Sequence, residues 1–415
     1  MIEEGAYSNL AVPAELDRAG LAGRDRAFAA ELAFGTIRKL IPIDHALGAI
    51  SSRPLEAVEP EALGCLRLGA YQILFTRVPA HAAVGETAGL VPVRARGFVN
   101  AVLRRLAAEP PAPPEGDDDR AISIRTGLAE WAVGELRRLL PAEEVEPAAA
   151  ALGSPATLTI RVNRCRTTRE ELEGALTREG HPLERGRFHP DVLRVPSATP
   201  GRLPGFEEGW FAVQDEASVL VGAALEARGG ERILDACAGP GGKAAHLACE
   251  VGPGGLLVAA DLHASRANLV RRTAIRLGVP VDTLVQDATR PALAPASFDA
   301  ILVDAPCTGL GAARRRPELL WRPTKDQLSG LARLQVAILV GVAGLVRPGG
   351  RLLYSVCTYP RAETDAAVRA FLGKRPEFGA LEVPGPNGRA AAHRLWPHRH
   401  ETDAMFFAGF VRRPG

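Results

Sequence analysis

The stretch D-A-C-A-G-P-G-G-K, residues 235–243, decides how we interpret the fold. It follows a short apolar run at 232–236 and precedes a helix-compatible pattern at 243–250. Glycines allow the backbone to turn tightly and allow a ligand to approach it closely. A strand, a glycine turn and a helix in this order are typical of α/β proteins that bind a ligand at the carboxyl edge of a parallel sheet.

The glycine turn fits one phosphate-binding pattern and fails another. A Walker phosphate loop needs a glycine at position 237 and a serine or threonine at position 244, where this chain has Cys237 and Ala244. Gly239, Gly241 and Ala244 do fit the dinucleotide pattern G-x-G-x-x-A, and Asp261 follows at the spacing of a ribose partner. Residue spacing alone therefore leaves open a nicotinamide-dependent dehydrogenase, or a glycine turn that only closes a strand.

The region around this turn alternates strands and helices. Apolar strands separated by helices predict a parallel sheet covered on both faces. The expected strands are 232–236, 256–261, 283–287, 299–304 and 351–356, and the expected helices are 243–250, 264–277 and 324–346. Asp235, Asp261, Asp287 and Asp304 each lie at or beside the end of such a strand. Four acids in consecutive units indicate a ligand site at this edge.

The residues before the alternating region predict two further parts. Short helices with proline or glycine breaks indicate a helical bundle, and the proline-rich, acidic stretch that follows predicts an extended linker. Strands at 157–162 and 191–195, with helices at 120–151 and 169–179, then predict a small α+β module. The predicted parts are a helical domain (1–108), a linker (109–119), an α+β module (120–224) and an α/β domain (225–415).

Composition sets the broad class of protein. Of the 415 residues, 47% are hydrophobic and 24% are charged, which excludes a disordered or collagen-like chain. The net charge is only +2, so any nucleic-acid surface must be local, and Arg161, Arg164, Arg166 and Arg169 form a candidate patch. Residues 1–5 lack the basic flank and apolar stretch of a signal peptide.

Six cysteines without a C-x-x-C pair predict free thiols and a reducing cytoplasm. Cys65, Cys165 and Cys249 are expected to be small core residues. Cys307 lies in D-A-P-C-T-G (304–309) after the fourth strand, and Cys357 lies in Y-S-V-C-T-Y-P (354–360) after the fifth. These two cysteines should therefore face the ligand edge, where an activated thiolate is a strong nucleophile.

The combination of D-A-C-A-G-P-G-G-K, D-A-P-C and S-V-C-T resembles the Sun/RsmB branch of the Nop/Sun RNA cytosine-C5 methyltransferases. Residues 5–10, 67–72 and 97–104 resemble the NusB-like domain of that branch, and residues 161–163 and 213–218 resemble its RNA-binding region. The resemblance implies an α/β fold, with a doubly wound Rossmann-like S-adenosylmethionine methyltransferase domain. An all-helical NusB-like domain and a small α+β RNA-binding module would precede it.

The resemblance also implies an activity, namely methylation of C5 of a cytosine in small-subunit (16S) rRNA through a covalent cysteine–C6 adduct. Cys357 would be the nucleophile, Cys307 would assist proton removal or product release, and Asp304 would bind the N3 edge of the base. Asp261 would hold the ribose of S-adenosylmethionine and Asp287 its adenine side. The residues implied to bind this cofactor are Cys237, Ala238, Gly239, Pro240, Gly241, Gly242, Lys243, Asp261, Asp287 and Asp304.

The expected partner is 16S rRNA or a small-subunit assembly intermediate, bound by a cytoplasmic monomer with no membrane contact and no metal. Arg314, Arg315 and Arg316 follow the fourth-strand motif and could grip flanking phosphates, or could form a solvated turn. Two alternative functions remain. A dehydrogenase would leave Cys307 and Cys357 without a role. A non-catalytic RNA-binding assembly factor would not need an intact cofactor loop and both cysteines.

Overall fold

A computed structural model describes residues 7–196 and 198–414 of the chain. The segment 1–5 and the first two residues of the stretch 5–10 lie outside these described residues. The chain forms two compact units. A helical unit contains the residues up to Ser154 together with Ala313–Pro323, and a sheet unit contains Pro155–Ala312 and the residues from Thr324 onward. Within the described ranges, no helix combines the length and apolar character needed to cross a membrane.

The helical unit confirms the predicted series of short helices. They are α1 (Ser8–Arg18), α2 (Gly23–Arg38), α3 (Leu40–Ile50), α4 (Pro60–Phe75), α5 (Ala80–Gly89), α6 (Val93–Ala108), α7 (Asp119–Thr126), α8 (Glu130–Arg137) and α9 (Ala142–Leu152). Leu47, Leu66 and Leu103 are fully buried in one core of α3–α6. Local signals set the ends of α7. The Asp118 side chain accepts from the Ala121 N–H, and Gly127 ends the helix at φ 87°.

Helices α7–α9 lie in the helical unit, since the division between the two units falls after Ser154. The sequence instead groups residues 120–151 with the α+β module. The four domain ranges given above remain predictions. Residues 109–118 form no helix or strand, and the segment has few apolar residues to bury.

The arginine run 314–316 belongs to the helical unit. The Arg314 carbonyl accepts from the Arg38 guanidinium at 3.2 Å, and the Arg316 guanidinium lies 4.4 Å from the centre of the Tyr7 ring. Farther along the segment, the Trp321 indole N–H donates to the Ile37 carbonyl at 2.9 Å. The run is therefore engaged in packing and is not a solvated turn. Phosphate contact by these arginines stays a prediction.

The sheet unit begins with the small α+β module. Its elements are β1 (Thr159–Val162), α10 (Arg169–Arg178), β2 (Glu184–Arg185), β3 (Val192–Arg194) and β4 (Phe211–Val213), and the antiparallel strand order is β2-β3-β1-β4. The prediction that Arg161 contributes to a basic surface patch is wrong, whereas a patch of Arg164, Arg166 and Arg169 stays a prediction. Arg161 is 2% exposed and donates to Gln214, and burial lowers its pKa to about 10. All four residues of β1 are buried, so both faces of this strand are covered and Arg161 cannot contribute to a surface patch.

A larger mixed sheet follows, and it confirms the predicted α/β fold. Its elements are α11 (Glu216–Ala224), β5 (Arg232–Asp235), α12 (Gly242–Val251), β6 (Leu256–Asp261), α13 (Ala264–Leu277), β7 (Asp282–Val285), β8 (Phe298–Asp304), α14 (Lys325–Ala343), β9 (Val346–Val356), α15 (Asp365–Lys374), β10 (Phe378–Leu381), β11 (Val383–Gly385), β12 (Gly388–Ala390), β13 (Ala392–Leu395), α16 (Pro397–His400) and β14 (Met405–Arg412). The strand order is β10-β14-β9-β8-β5-β6-β7, with β13 beside β14. Helices α11–α13 pack on one face, and α14 and α15 pack on the other.

Strands β5 to β9 are parallel, as the sequence predicts, whereas β14 pairs antiparallel with β9. The alternation of strands and helices in the sequence does not predict this antiparallel edge. The edge matters for the site because β14 covers the outer side of β9, so both neighbours of β9 are strands. The carboxyl end of β9 therefore lies inside the sheet and next to that of β8.

The prediction that Cys165 and Cys249 are free core thiols is wrong. They form a disulfide across a sequence separation of 84, with their Cα atoms 5.8 Å apart. Cys165 follows β1 and Cys249 lies on α12, so the fold brings together two elements that the sequence does not relate. The bond ties the small module to the helix that begins at the glycine loop.

Candidate active site

The glycine loop connects β5 to α12 and is shaped by the backbone. Gly241 is the N-cap of α12 at φ 107°, and a Cβ atom there would lie 3.0 Å from the Val270 Cα. A side chain at this position would be both strained and obstructed. The loop contains a cis peptide bond between Gly239 and Pro240. Ala238 donates its N–H to the Ala260 carbonyl at 2.8 Å, which holds the loop against β6.

Asp261, at the end of β6, holds the glycine loop through its carboxylate. Oδ2 accepts from the Gly239 N–H at 3.1 Å and from the Arg266 Nε at 3.0 Å, and Oδ1 accepts from the His263 N–H at 3.1 Å. Arg266 also donates to the Gly239 carbonyl at 2.6 Å. The structure thus brings Asp261 and the loop together, as the sequence predicts. The carboxylate engages the protein's own donors.

Asp287 lies two residues beyond the last residue of β7 and is exposed. The Thr289 side chain and backbone N–H donate to it at 2.7 and 2.8 Å, and these bonds hold its pKa below the usual value. Its neighbour Gln286 donates a backbone N–H to the Asp261 carbonyl at 3.1 Å. Asp287 therefore lies at the same sheet edge as Asp261, one strand farther out.

Two side chains at this edge have buried polar atoms without a hydrogen-bond partner in the described part of the chain. They are Asp235, at the end of β5, and Gln286. Burial, reinforced by Asp304, raises the pKa of Asp235 to about 7, against the opposing effect of Lys243. Buried polar atoms are normally hydrogen-bonded. Orphaned atoms beside a glycine cradle fit a polar ligand such as S-adenosylmethionine. The sequence marks Asp235 only as one of four strand-end acids, and no motif in it points to Gln286.

Cys307 and Cys357 lie with their sulfurs 3.5 Å apart. They meet because β8 and β9 are adjacent parallel strands in which Asp304 is opposite Ser355, so the residues after both strands leave at one edge. The structure thus brings together two thiols that are 50 positions apart in the sequence. Cys237 is not part of this pair. Its side chain packs against the core beneath α14, and burial raises its pKa.

The two thiols have opposite electrostatic preferences. A hydrogen bond from Cys307 and the charge of Lys243 lower the pKa of Cys357 despite its burial. The same hydrogen bond, burial and nearby carboxylates raise the pKa of Cys307. Cys357 is therefore the more acidic of the two thiols. A lower pKa favours a thiolate at Cys357, and the catalytic roles of the two cysteines stay predictions.

Asp304 and Lys243 form an ion pair next to the thiols. Lys243 Nζ donates to Asp304 Oδ2 at 2.8 Å, and Ser355 Oγ donates to Oδ1 at 2.6 Å. Burial lowers the pKa of Lys243, but the Asp304 carboxylate outweighs this effect and raises it overall. The ammonium group therefore stays charged and connects the first turn of α12 to the thiol pair.

The arrangement can combine a nucleophilic thiolate, a second thiol, a carboxylate–ammonium pair and a glycine cradle at one sheet edge. No group of His, Cys, Asp and Glu in the described ranges could hold a metal ion. The sheet order and the cradle define the class of S-adenosylmethionine-dependent methyltransferases.

Comparisons with known proteins agree with this class. The 16S rRNA methyltransferase RsmB/F family matches residues 222–411, the NusB family matches residues 1–108, and the RsmF/B-like ferredoxin-like domain matches residues 128–201. A protein of Mycobacterium tuberculosis that is named as a methyltransferase is 39% identical, covering 98% of this chain and 93% of its own. The Pseudomonas putida ribosomal RNA small subunit methyltransferase B is 33% identical, covering 98% and 94%.

The crystal structure of PH0851 superposes with a TM-score of 0.83 at 25% identity, covering 96% of this chain and 93% of that one. The chain belongs to the RsmB/F family of 16S rRNA methyltransferases, which depend on S-adenosylmethionine. The predicted family, fold class and cofactor are thereby confirmed, and the dehydrogenase alternative is set aside.

Proposed function

We propose that this chain methylates C5 of a cytosine in 16S rRNA through a covalent adduct between Cys357 and C6 of the base. The 3.5 Å separation of the Cys357 and Cys307 sulfurs carries the proposal. One thiolate can form a bond to carbon, and a second thiol at hydrogen-bond distance can assist its release. Neither a non-covalent methyl transfer nor a binding protein needs this pair.

The chemistry explains why a thiolate is needed. C5 of cytosine is a poor nucleophile because its electrons belong to the conjugated ring. Attack by the Cys357 thiolate forms an S–C6 bond and shifts an electron pair through C4 to N3, which takes a proton from water. The N3–H can then donate to Asp304, whose carboxylate Lys243 holds in place. C5 now has the nucleophilic character of an enamine carbon.

S-adenosylmethionine, when bound, supplies an electrophilic methyl group to C5. The hydroxide left when water protonated N3 takes the C5 proton, and Cys307 assists this removal or the release of the product. The C6–S bond breaks, its electron pair returns to Cys357, N3 loses its proton, and the ring regains its conjugation. Covalent catalysis of this kind replaces one difficult step by several easier ones.

We assign the cofactor to the glycine loop, with Asp261 toward the ribose and Asp287 toward the adenine. The target base must leave its stack to reach Cys357, which costs least in single-stranded or loop RNA. The NusB-like region and the small module would extend the RNA footprint. We place this activity in the cytoplasm, with a monomer acting on 16S rRNA or a small-subunit assembly intermediate.

Transfer of labelled methyl groups to small-subunit rRNA, followed by bisulfite sequencing, tests the proposal. We expect Cys357→Ala to abolish transfer and Cys307→Ala to accumulate a protein–RNA adduct that migrates slowly on a denaturing gel. Cys65→Ala, a free cysteine in the helical unit, is the matched control and should methylate normally. Retained cytosine methylation by Cys357→Ala would refute the covalent mechanism. No methyl transfer by the wild type to any small-subunit RNA would favour the assembly factor.

A further inference from the structure

A buried carboxylate lies beneath the two thiols and has no part in the mechanism above. Glu363 is 0% exposed and lies in the turn between β9 and α15. Burial raises its pKa, and hydrogen bonds from Thr308 and Gln335 oppose this shift. The resemblance to known enzymes directs attention to the cysteines and leaves this residue without a function.

We propose that Glu363 is a positioning residue that sets the spacing of Cys307 and Cys357. This inference rests on the proposed function, and it adds the group that holds the two thiol loops in register. The evidence is a set of hydrogen bonds that join the residue after one cysteine to the residue after the other.

The first part of the set holds the Cys307 loop. Glu363 Oε1 accepts from the Thr308 N–H at 2.9 Å, and Oε2 accepts from Thr308 Oγ1 at 2.5 Å. Gln335 Nε2, on α14, donates to the Pro306 carbonyl and to Glu363 Oε1, both at 2.9 Å. Both chain neighbours of Cys307 are therefore fixed, directly or through Gln335, by one carboxylate. A bond to a charged acceptor is stronger and more directional than a neutral one.

The second part reaches the Cys357 loop. The hydroxyls of Thr308 and Thr358 lie 2.7 Å apart, and Thr358 directly follows Cys357. The Thr358 side chain is also hydrogen-bonded to Glu363. The carboxylate therefore contacts the residue that follows each cysteine. The Tyr354 hydroxyl, on β9, donates to the Glu363 carbonyl at 2.6 Å and lies 2.9 Å from Gln335 Oε1. The backbone of Glu363 is thus anchored to the same strand that delivers Cys357.

The carboxylate accordingly acts on the geometry of the thiols and touches neither sulfur. Shifting reacting groups by about 1 Å can cost about 100-fold in rate without changing substrate binding. We therefore expect Glu363→Ala to lower the single-turnover methylation rate about 100-fold. The KM for RNA and the Kd for S-adenosylhomocysteine should stay within about twofold, since neither ligand is assigned to this residue.

A thiol-proximity measurement tests the geometry without using methylation. Dibromobimane links two thiols only when they lie close together, and peptide mapping by mass spectrometry identifies the Cys307–Cys357 product. We expect Glu363→Ala to slow this link about tenfold and Glu363→Gln to slow it far less. The glutamine oxygen can accept from the Thr308 N–H, and its amide can donate to Thr308 Oγ1, which then donates to Thr358. Glu377→Ala, a half-exposed glutamate paired with Arg375, is the matched control.

The outcomes separate the two proposals. A linking rate and a methylation rate within threefold of wild type in Glu363→Ala would overturn the positioning role, and so would slower methylation with unchanged linking. If the wild type makes no 5-methylcytosine yet linking still depends on Glu363, the proposed function fails and the positioning role survives. Should the alanine variant not fold, Glu363→Gln and Gln335→Met give the same comparison with smaller expected changes.

Discussion

The two sides of the site are built in different ways. The cofactor side, made of Asp235, residues 236–241, Asp261 and Gln286, has buried polar atoms without partners. The thiol side is made of Cys307, Cys357 and the Glu363 hydrogen bonds. Its buried carboxylate, Glu363, accepts hydrogen bonds from Thr308 and Gln335. The difference favours a polar ligand beside Asp235 and Gln286, whereas Glu363 on the thiol side already has donors from the protein.

The largest expected effect comes from breaking the ion pair that connects the two sides. Lys243→Met should reduce methyl transfer about 10³-fold, because Asp304 loses its cation and Cys357 loses a nearby positive charge. The pKa of Cys357 should rise, so the pH at which iodoacetamide alkylates it should also rise. Single-turnover kinetics and mass spectrometry of the alkylated peptide measure both effects. Lys374→Met, at an exposed position of α15, is the control. Transfer within threefold of wild type in Lys243→Met would contradict the assignment.

The second effect tests the unsatisfied cofactor side. The pKa of Asp235 is about 7 in the fold and 3.8 in a free chain. Its contribution to stability is therefore complete below pH 3.8 and is lost as the pH rises to about 7. Asp235→Asn removes this titration, so its unfolding free energy relative to wild type should rise by about 4 kcal/mol from pH 4 to pH 8. Denaturant unfolding without cofactor measures the difference, and a difference independent of pH would contradict the buried, protonated acid.

The third effect concerns the support of the cofactor side. The Cys165–Cys249 disulfide ties α12, which starts at the glycine loop, to the segment after β1. Cys165→Ser should lower the unfolding free energy of the sheet unit by about 3 kcal/mol under oxidising conditions. The difference should vanish in reductant, which is the internal control. Thiol titration of denatured, unreduced wild type should find the four free cysteines, and six would show that the bond is absent.

The smallest effect is expected for a threonine-to-valine substitution, made once on each side and measured as a change in unfolding free energy. Thr308→Val removes a buried donor to Glu363 and should cost about 1–3 kcal/mol of unfolding free energy. Thr289→Val removes a donor to the exposed Asp287 and should cost less than about 0.5 kcal/mol. Chemical denaturation of both variants at one pH checks the contrast. If the two variants lost the same unfolding free energy, the buried hydrogen bond on the thiol side would contribute no more to stability than the exposed one on the cofactor side.

The sequence predicts the part of the site that follows from the regular alternation of strands and helices, namely the sheet edge with its two cysteines. Strands β5 to β9 are apolar runs between helices, so the meeting of Cys307 and Cys357 follows from the parallel pairing of β8 and β9. It does not predict Glu363, because no spacing relates a residue in a turn to the backbone of Thr308. The same reason explains the unexpected disulfide. The sequence wrongly predicts Arg161 on the surface, because a run of basic residues does not show which side chains of a short strand are buried.

The segment Ala313–Pro323 leaves the sheet unit after Ala312, packs within the helical unit and returns at Thr324. The chain therefore passes between the two units three times. A protease that cut only between Ser154 and Pro155 would release residues 1–154 as a separate polypeptide, yet these residues would still pack with the segment 313–323, which stays covalently joined to the sheet unit. Two further cuts, one before and one after this segment, are needed to divide the chain into its two units. Expressing residues 155–415 alone would also leave eleven residues, including Trp321, without the helices that bury them.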